Sequence, residues 1–357
     1  MSATYIHGAS IVTNWRDTSA SLSDLIFRGV SQAIEASAVP IDQIESVVLS
    51  AHDIVDGRSL SSMVTAPAAG AYLRDEIRLA EDGLAAASLA AARIEAGETE
   101  YSIVAAWGRA SEGNYSHTSR FAFDPFCEQP LGLDEFAVSA LRMSAWAAMH
   151  GLGEDQRKWA ADIRDARARS NPRACTAGAR PQLNLPLRAA EAPRYADIVV
   201  AAILGRPASR VAISGFGHSA VTTPLDPAKL LAMPALAEAA KACSKTAGAD
   251  LATLDVYQCA GATLVDEAVS LEALGLAGPG DAFSVYASDE RINPSGGGAG
   301  GWCFPANGLV NLVEAFFQLA GTAGGVQLGG QPKRALATGL SPMGGQVAHC
   351  AILEAAA

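Results

Sequence analysis

The residues best suited to binding or processing a small molecule lie in a glycine-rich run near the C-terminus. This run, residues 293–308, begins at Asn293, contains the segment Gly296–Gly301 and leads directly into a predicted helix. Glycines let the backbone approach a ligand closely, and the start of a helix directs N–H groups toward that ligand. The same composition is typical of a tight loop packed under a helix, so both interpretations stay open. A second glycine pair, Gly344 and Gly345, precedes the last predicted strand.

Cys303 is the titratable side chain inside the glycine-rich run. A thiol at the start of a helix can have a lowered pKa and take part in proton transfer or nucleophilic attack. A buried cysteine, in contrast, more commonly behaves as a small inert hydrophobic residue. Cys303 is therefore a candidate catalytic group whose role depends on its surroundings.

Two other motif matches carry less weight. The segment Gly296–Gly301 satisfies the pattern G-x-G-x-x-G, but a turn precedes it and the nearest downstream acid, Glu314, falls inside a predicted helix. A dinucleotide site needs a strand before the glycines and an acid after the next strand. The segment Gly217–Val221 lacks the final glycine of a nucleophile elbow, which favours a polar loop. The six histidines show no metal-ligand spacing, so no metal site is predicted.

The elements that would position these residues occur twice along the chain. Each copy has a short apolar strand, an amphipathic helix and a second strand, and the glycines of the first strands, Gly8 and Gly215, are 207 residues apart. Each copy continues with a helix and two further strands. The predicted elements are strands 5–12, 44–50, 101–107 and 197–204 with helices 22–37 and 83–96, then strands 210–216, 254–259, 334–339 and 346–354 with helices 230–247 and 309–320.

This order predicts an α/β protein with a mixed sheet in each of two halves, residues 1–205 and 206–357. The first half carries an insertion at about 109–193, with helices predicted near 136–150 and 153–170. Such an insertion could cover an active site, or it could serve as surface decoration or a dimer contact. Its arginines between Arg157 and Arg173 could meet phosphates, although a solvated helix face is the commoner arrangement.

Composition excludes several classes of function. The chain has 357 residues, 50% of them hydrophobic. Its formal net charge of −11 disfavours non-specific electrostatic binding to nucleic acid or anionic lipid. No membrane-spanning segment or signal peptide is predicted. The cysteines are widely spaced without a C-x-x-C pair, which indicates reduced thiols and a cytoplasmic location. The cysteines are Cys127, Cys175, Cys243, Cys259, Cys303 and Cys350.

The C-terminal half resembles the thiolase superfamily, in particular its sterol-carrier-type branch. The family segment N-P-x-G-G corresponds to Asn293–Gly297, and the glycine turn that opens the next helix corresponds to Pro305–Gly308. In the N-terminal half, Gly83–Gly97 matches the helix that carries the family nucleophile. The resemblance implies a five-layered αβαβα fold built from two pseudo-repeated halves. It also implies a homodimer, paired through the strand 101–107, and an acyl-CoA-type substrate with no cofactor beyond its CoA moiety.

The chain departs from the family at each catalytic position. The nucleophilic cysteine is replaced by Ala80, and neither Glu81 nor Asp82 is an evident substitute. The family histidine falls on Trp302 or Cys303, and the second catalytic cysteine falls near Leu340 or Ser341. Ordinary thiolysis through an acyl-cysteine is therefore not expected.

The resemblance nevertheless implies a site. Retro-aldol relatives use tyrosines as acid and base, and one of these corresponds to Tyr257, so Tyr257 and Cys303 are the predicted catalytic residues. The predicted substrate-binding residues are Trp302, Asn293, Gly297, Gly344 and Gly345.

Three functions are compatible with this pattern. The chain could be a diverged enzyme for acyl transfer or carbon–carbon chemistry on an acyl-CoA without a covalent cysteine intermediate. It could instead be a catalytically silent subunit in a hetero-complex with another thiolase-like or OB-type subunit. It could also bind an acyl-CoA without turnover. Retention of the glycine loops favours the first function.

Overall fold

The computed structural model describes residues 4–53, 62–221, 226–341 and 345–356. These residues form nine strands in one hydrogen-bonded sheet, flanked by helices. The strands are β1 Thr4–Asn14, β2 Ser46–Ser50, β3 Asp75–Leu79, β4 Tyr101–Arg109, β5 Asp197–Gly205, β6 Val211–Ala220, β7 Val256–Gln258, β8 Arg334–Leu340 and β9 Val347–Ala355. The helices are α1 Leu22–Ser37, α2 Ser62–Thr65, α3 Gly83–Ala96, α4 Tyr115–Ser119, α5 Glu135–His150, α6 Glu154–Ser170, α7 Pro227–Ala232, α8 Pro234–Ala247, α9 Leu264–Ala273, α10 Ala282–Ser288 and α11 Asn307–Ala320.

The sheet repeats one topology on either side of a central seam. Its order is β3-β2-β4-β5-β1-β6-β9-β8-β7, and β1 meets β6 across the seam. In the first half, β1 is antiparallel to β5 and β2 is parallel to β4. In the second half, β6 is antiparallel to β9 and β7 is parallel to β8. A parallel bridge from Ile292 to Tyr257 lies where the second half would carry its counterpart of β3. The predicted α/β fold with two pseudo-repeated halves is confirmed.

The repeated glycines have a packing reason. Both β1 and β6 contain a bulge at the glycine, next to Gly8 and next to Gly215. A Cβ atom added to Gly8 would lie 2.3 Å from the backbone nitrogen of Ser37, and one added to Gly215 would lie 2.8 Å from that of Ala247. Each strand therefore needs a glycine where the helix of its half crosses it closely.

Five layers follow from which face of the sheet each helix covers. Helices α3 and α11 pack on each other between the two half-sheets, and their apolar residues form one central cluster with the inner sheet faces. Helix α1 covers the outer face of the first half-sheet, where Ser21 and Asp24 form the predicted capping box at its start. Helices α8 and α9 cover the outer face of the second.

Two predictions about elements were wrong. The helix predicted over 230–247 is interrupted, because Met233 adopts a positive φ of 41° and Pro234 begins a new helix. The strand predicted to pair two protomers, which is β4, lies between β2 and β5 with both edges hydrogen-bonded. It therefore cannot extend a sheet across an interface. Strand β3 is the free edge of this half-sheet.

Buried ion pairs hold the insertion together and attach it to the second half. Arg157 pairs with Glu191, and Arg164 pairs with Glu267, with all four side chains nearly inaccessible. Arg173 likewise pairs with the buried Glu314. The side chains of Arg157 and Arg164 therefore meet neither phosphates nor bulk solvent, because they are at most 1% exposed and bond to groups inside the protein. The side chain of Arg173 is 15% exposed. Helix α6 packs over the glycine-rich run and α10. Within the described ranges, no helix is long and apolar enough to span a membrane.

Candidate functional site

The N-termini of the two central helices meet at one buried carboxylate. Asp82 is the N-cap of α3, and its side chain accepts hydrogen bonds of 2.9 Å from the N–H groups of Leu84 and Gly308. It is fully inaccessible to solvent, and this burial raises its pKa from 3.8 to about 6. Aspartate is a favoured N-cap residue, so the first contact follows from local sequence. The second joins residues 226 positions apart and has no local signal.

Polar side chains gather directly beside this carboxylate. The hydroxyl group of Ser341 donates a hydrogen bond to Oε2 of Glu81, and Nε2 of His349 lies 3.9 Å from the same oxygen. The ring of His218, the cross-strand neighbour of His349, lies 4.7 Å from the His349 ring. We call Glu81, Asp82, His218, Ser341 and His349 the junction cluster, because it lies where the two halves meet.

The cluster keeps one carboxylate ionised and reachable. Burial would raise the pKa of Glu81, but the neighbouring His349 and the Ser341 hydroxyl together hold it below its ordinary value. The Glu81 side chain is 36% exposed, whereas that of His349 is 7% exposed. Burial and the adjacent His349 lower the pKa of His218. A partly exposed carboxylate beside an imidazole can take up and return protons.

The predicted catalytic pair is not brought together. Because side chains alternate along a strand, Val256 and Gln258 face the central layer while Tyr257 faces the outer cluster. The Tyr257 hydroxyl donates a 2.7 Å hydrogen bond to the carbonyl of Leu251, and burial raises its pKa to about 12. Cys303 is buried in the central cluster instead. The two groups lie on opposite faces of the sheet, so they cannot act as one acid–base pair.

The glycine-rich run makes its close approaches within the chain. A Cβ atom on Gly297 would lie 2.5 Å from a carboxylate oxygen of Glu267. Asn293 bonds the N–H and the carbonyl of Cys259 and also donates to Glu267. Tyr286, Arg164 and the N–H of Gly298 donate to the same carboxylate. The expected close approach of backbone to a ligand is here an approach to Glu267.

Gly297 and Trp302 also line a small polar cavity between the glycine-rich run and α11. Its volume is about 40 Å³, and Asn171, Glu267 and Glu314 contribute polar groups to its wall. This space suits a few water molecules and not an acyl-CoA. Gly344 lies outside the described residues, and Gly345, with a φ of 80°, precedes β9.

Trp302 belongs to a buried group of aromatic rings. We call Tyr115, Phe136, Tyr195, Trp302 and Phe304 the aromatic cluster. The rings of Tyr115 and Trp302 meet edge to face at 4.5 Å between centroids. Phe304 lies 6.2 Å from the ring of His52, and the carbonyl of the next residue, Pro305, accepts the N–H of Gly83. The aromatic cluster therefore lies next to the turn that precedes α3.

Most of the junction cluster has little or no signal in the sequence. Glu81 follows the replaced nucleophile position but is not an evident substitute by residue type, and His218 lies only within an incomplete nucleophile motif. His349 gives no signal, because a lone histidine in an apolar strand is typical of a core position. Among the described residues, no three His, Cys, Asp or Glu side chains converge in a way that could hold a metal ion.

Known proteins share this architecture. Residues 217–355 match the family model described as thiolase C-terminal domain-like. The solved structure of an Ltp2-ChsH2(DUF35) aldolase superposes with a TM-score of 0.80 at 16% identity, over 99% of this chain and 98% of that one. The chain has the thiolase fold. Human mitochondrial 3-ketoacyl-CoA thiolase also superposes, with a TM-score of 0.74 at 16% identity over 99% of both chains. A search of curated protein sequences gave no match.

Within the thiolase fold, α3 and α11 are the paired central helices. Ala80, which the family resemblance puts at the nucleophile position, is exposed and directly precedes Glu81. The resemblance puts the second catalytic cysteine near Leu340 or Ser341, and of these two residues Ser341 bonds to Glu81. The position of the replaced nucleophile therefore directly precedes the junction cluster, and Ser341 belongs to that cluster.

Proposed function

We propose that this protein acts on an acyl-CoA-type substrate by acid–base chemistry, without a covalent cysteine intermediate. The observation that carries the proposal is the contact of Glu81 with Ser341 and His349 beside Ala80. A methyl group cannot form a thioester, whereas an ionised carboxylate paired with an imidazole can move a proton. The chemistry would be carbon–carbon bond making or breaking, or acyl transfer.

For carbon–carbon cleavage of a 3-hydroxyacyl-CoA, the steps balance without a further reactant. Glu81 takes the proton of the substrate hydroxyl group, and the bond between the second and third carbons breaks to give an aldehyde. The electron pair of that bond moves to the second carbon, which then takes a proton. In this mechanism the hydrogen bond from Ser341 fixes the position of the Glu81 carboxylate, and the neighbouring His349 can exchange a proton with it.

The proposal is tested by converting Glu81 to its neutral isostere. We expect wild-type protein to form acetyl-CoA from 3-hydroxybutyryl-CoA, and Glu81→Gln to lower the rate at least about 100-fold, since general acid–base groups typically contribute that much. Glu35→Gln, which changes an exposed glutamate on α1, is the matched control and should leave the rate unchanged. Intact-mass measurement after incubation with acetyl-CoA should show no acyl adduct. A stable adduct would contradict the mechanism.

A silent subunit is the second candidate, and Asp82 is the observation that favours it. Its carboxylate already accepts the N–H groups of Leu84 and Gly308, so these two groups are not free to bind a substrate oxyanion. This candidate predicts no acetyl-CoA formation by the chain alone and stable co-purification with an active thiolase-like or OB-type partner. Purification as a partner-free homodimer that turns over substrate would exclude it.

We also propose a homodimer in the cytoplasm. The free edge of β3 supports pairing with a second copy, and the reduced state of the six cysteines suits a reducing compartment. The name of the Ltp2-ChsH2(DUF35) aldolase joins two components, which makes a hetero-complex the alternative assembly.

A further inference from the structure

Tyr115 carries a hydroxyl group that the fold leaves without a partner. The residue is 5% exposed, and its hydroxyl oxygen is inaccessible and forms no hydrogen bond within the described residues. Buried hydroxyl groups are normally bonded, because losing water without replacement costs free energy. Two other buried tyrosines obey this rule: Tyr257 donates to the carbonyl of Leu251 and Tyr286 donates to Glu267.

The ring of Tyr115 packs among other aromatic rings. Trp302 meets the Tyr115 ring at 4.5 Å, and Phe136 and Tyr195 lie at 6.4 and 6.3 Å between centroids. Burial raises the pKa of Tyr115 well above its ordinary value, and the nearby Glu135 adds to this effect. The phenol therefore stays protonated at neutral pH and can donate a hydrogen bond.

The aromatic cluster lies next to the junction cluster. Phe304 belongs to it and lies 6.2 Å from the ring of His52, just after the end of β2. The neighbouring Pro305 binds the N–H of Gly83, one residue after Asp82. Under the proposed function, the acyl group of a substrate whose reacting carbons lie at Glu81 extends toward these rings.

We infer that Tyr115 is a specificity-determining residue, whose hydroxyl group donates a hydrogen bond to an oxygen atom on the acyl part of the substrate. This inference rests on the proposed function. Tyr195 is the partly exposed member of the aromatic cluster, so in this inference the acyl group reaches Tyr115 past the ring of Tyr195. A site built to bond one oxygen rejects the analogue that lacks it, because the buried donor is then left unpaired.

The test compares two ligands that differ by one carbonyl oxygen. Isothermal titration should show acetoacetyl-CoA binding to wild-type protein at least about tenfold more tightly than butyryl-CoA. Tyr115→Phe should bring the two affinities to within about twofold. If both ligands bind but the variant keeps the wild-type preference, the inference is wrong while the proposed substrate class stands. If neither ligand binds to wild-type protein, the proposed function itself fails, and the inference fails with it.

A stability measurement separates this role from a structural one. Tyr115→Phe removes an unpaired hydroxyl group, so the thermal unfolding midpoint of the ligand-free protein should stay the same or rise. Tyr286→Phe is the matched control, because it removes a hydroxyl group bonded to buried Glu267 and should lower the midpoint. A comparable loss of stability in Tyr115→Phe would show an internal partner for its hydroxyl group and overturn the inference.

Discussion

Replacing Asp82 with asparagine should change how the stability of the protein depends on pH. The carboxylate is fully buried between the starts of α3 and α11, where burial opposes its ionisation and two N–H groups favour it. Burial prevails, so the pKa rises from 3.8 to about 6. A carboxyl group whose pKa is raised by folding stabilises the fold fully below pH 3.8, and this stabilisation is lost as the pH rises through 6.

The magnitude follows from the two pKa values. One pKa unit corresponds to 1.36 kcal/mol, so ionisation of Asp82 lowers the free energy of unfolding by about 3 kcal/mol at neutral pH. About 2.5 kcal/mol of this change falls between pH 4 and pH 7, and about half of the total is already lost at pH 5. Asparagine does not ionise in this range. Its amide oxygen can accept one of the two N–H groups, so Asp82→Asn also has a constant cost of about 1 kcal/mol.

Urea unfolding of both proteins at pH 4, 5, 6 and 7 would measure the effect. The difference in unfolding free energy, wild type minus Asp82→Asn, should fall by about 2.5 kcal/mol between the extremes. Asp42→Asn, which makes the same substitution at an exposed site, is the control. A difference that rises with pH would refute the reasoning, since it would mean that the two helix N-termini stabilise the anion more than burial destabilises it.

Three further perturbations test the fold and the assembly. Arg164→Met should lower the free energy of unfolding by about 3–5 kcal/mol, because it leaves buried Glu267 without its cation; adding Glu267→Gln should restore part of the loss in urea unfolding. Gly8→Ala should destabilise by about 2–3 kcal/mol through contact with the Ser37 backbone, whereas Gly113→Ala, with open space around it, should change stability by less than about 0.5 kcal/mol. Glu76→Pro should convert a homodimer into a monomer in light scattering.

The choice of Glu76 follows from the hydrogen bonds of β3. The carbonyl of Leu79 accepts from Ala51, and the N–H of Asp75 donates to Glu45, so alternate residues starting at Asp75 face β2. Glu76 therefore directs its N–H to the free edge, and proline removes this donor without removing a bond to β2. A dimer that persists in Glu76→Pro would show that the protomers associate elsewhere.

The repeated α/β plan follows from the amino-acid sequence alone. Periodicity predicts most strands and helices, and the capping box marks the start of α1. The spacing of Gly8 and Gly215 shows which residues correspond in the two halves. These signals are local, because they report the dihedral angles and the buried face of one element at a time. The short, charged strand β3 escapes detection because it has neither an apolar run nor a clean alternation.

Which side chains meet depends on the tertiary structure. The pleat of β7 turns Tyr257 away from Cys303, and the packing of α6 gives Arg164 a buried partner more than 100 residues away. A still longer separation in sequence lies between Glu81 and its partners Ser341 and His349. Such contacts depend on how two half-sheets and two central helices pack, and this packing cannot be predicted from residue type and spacing.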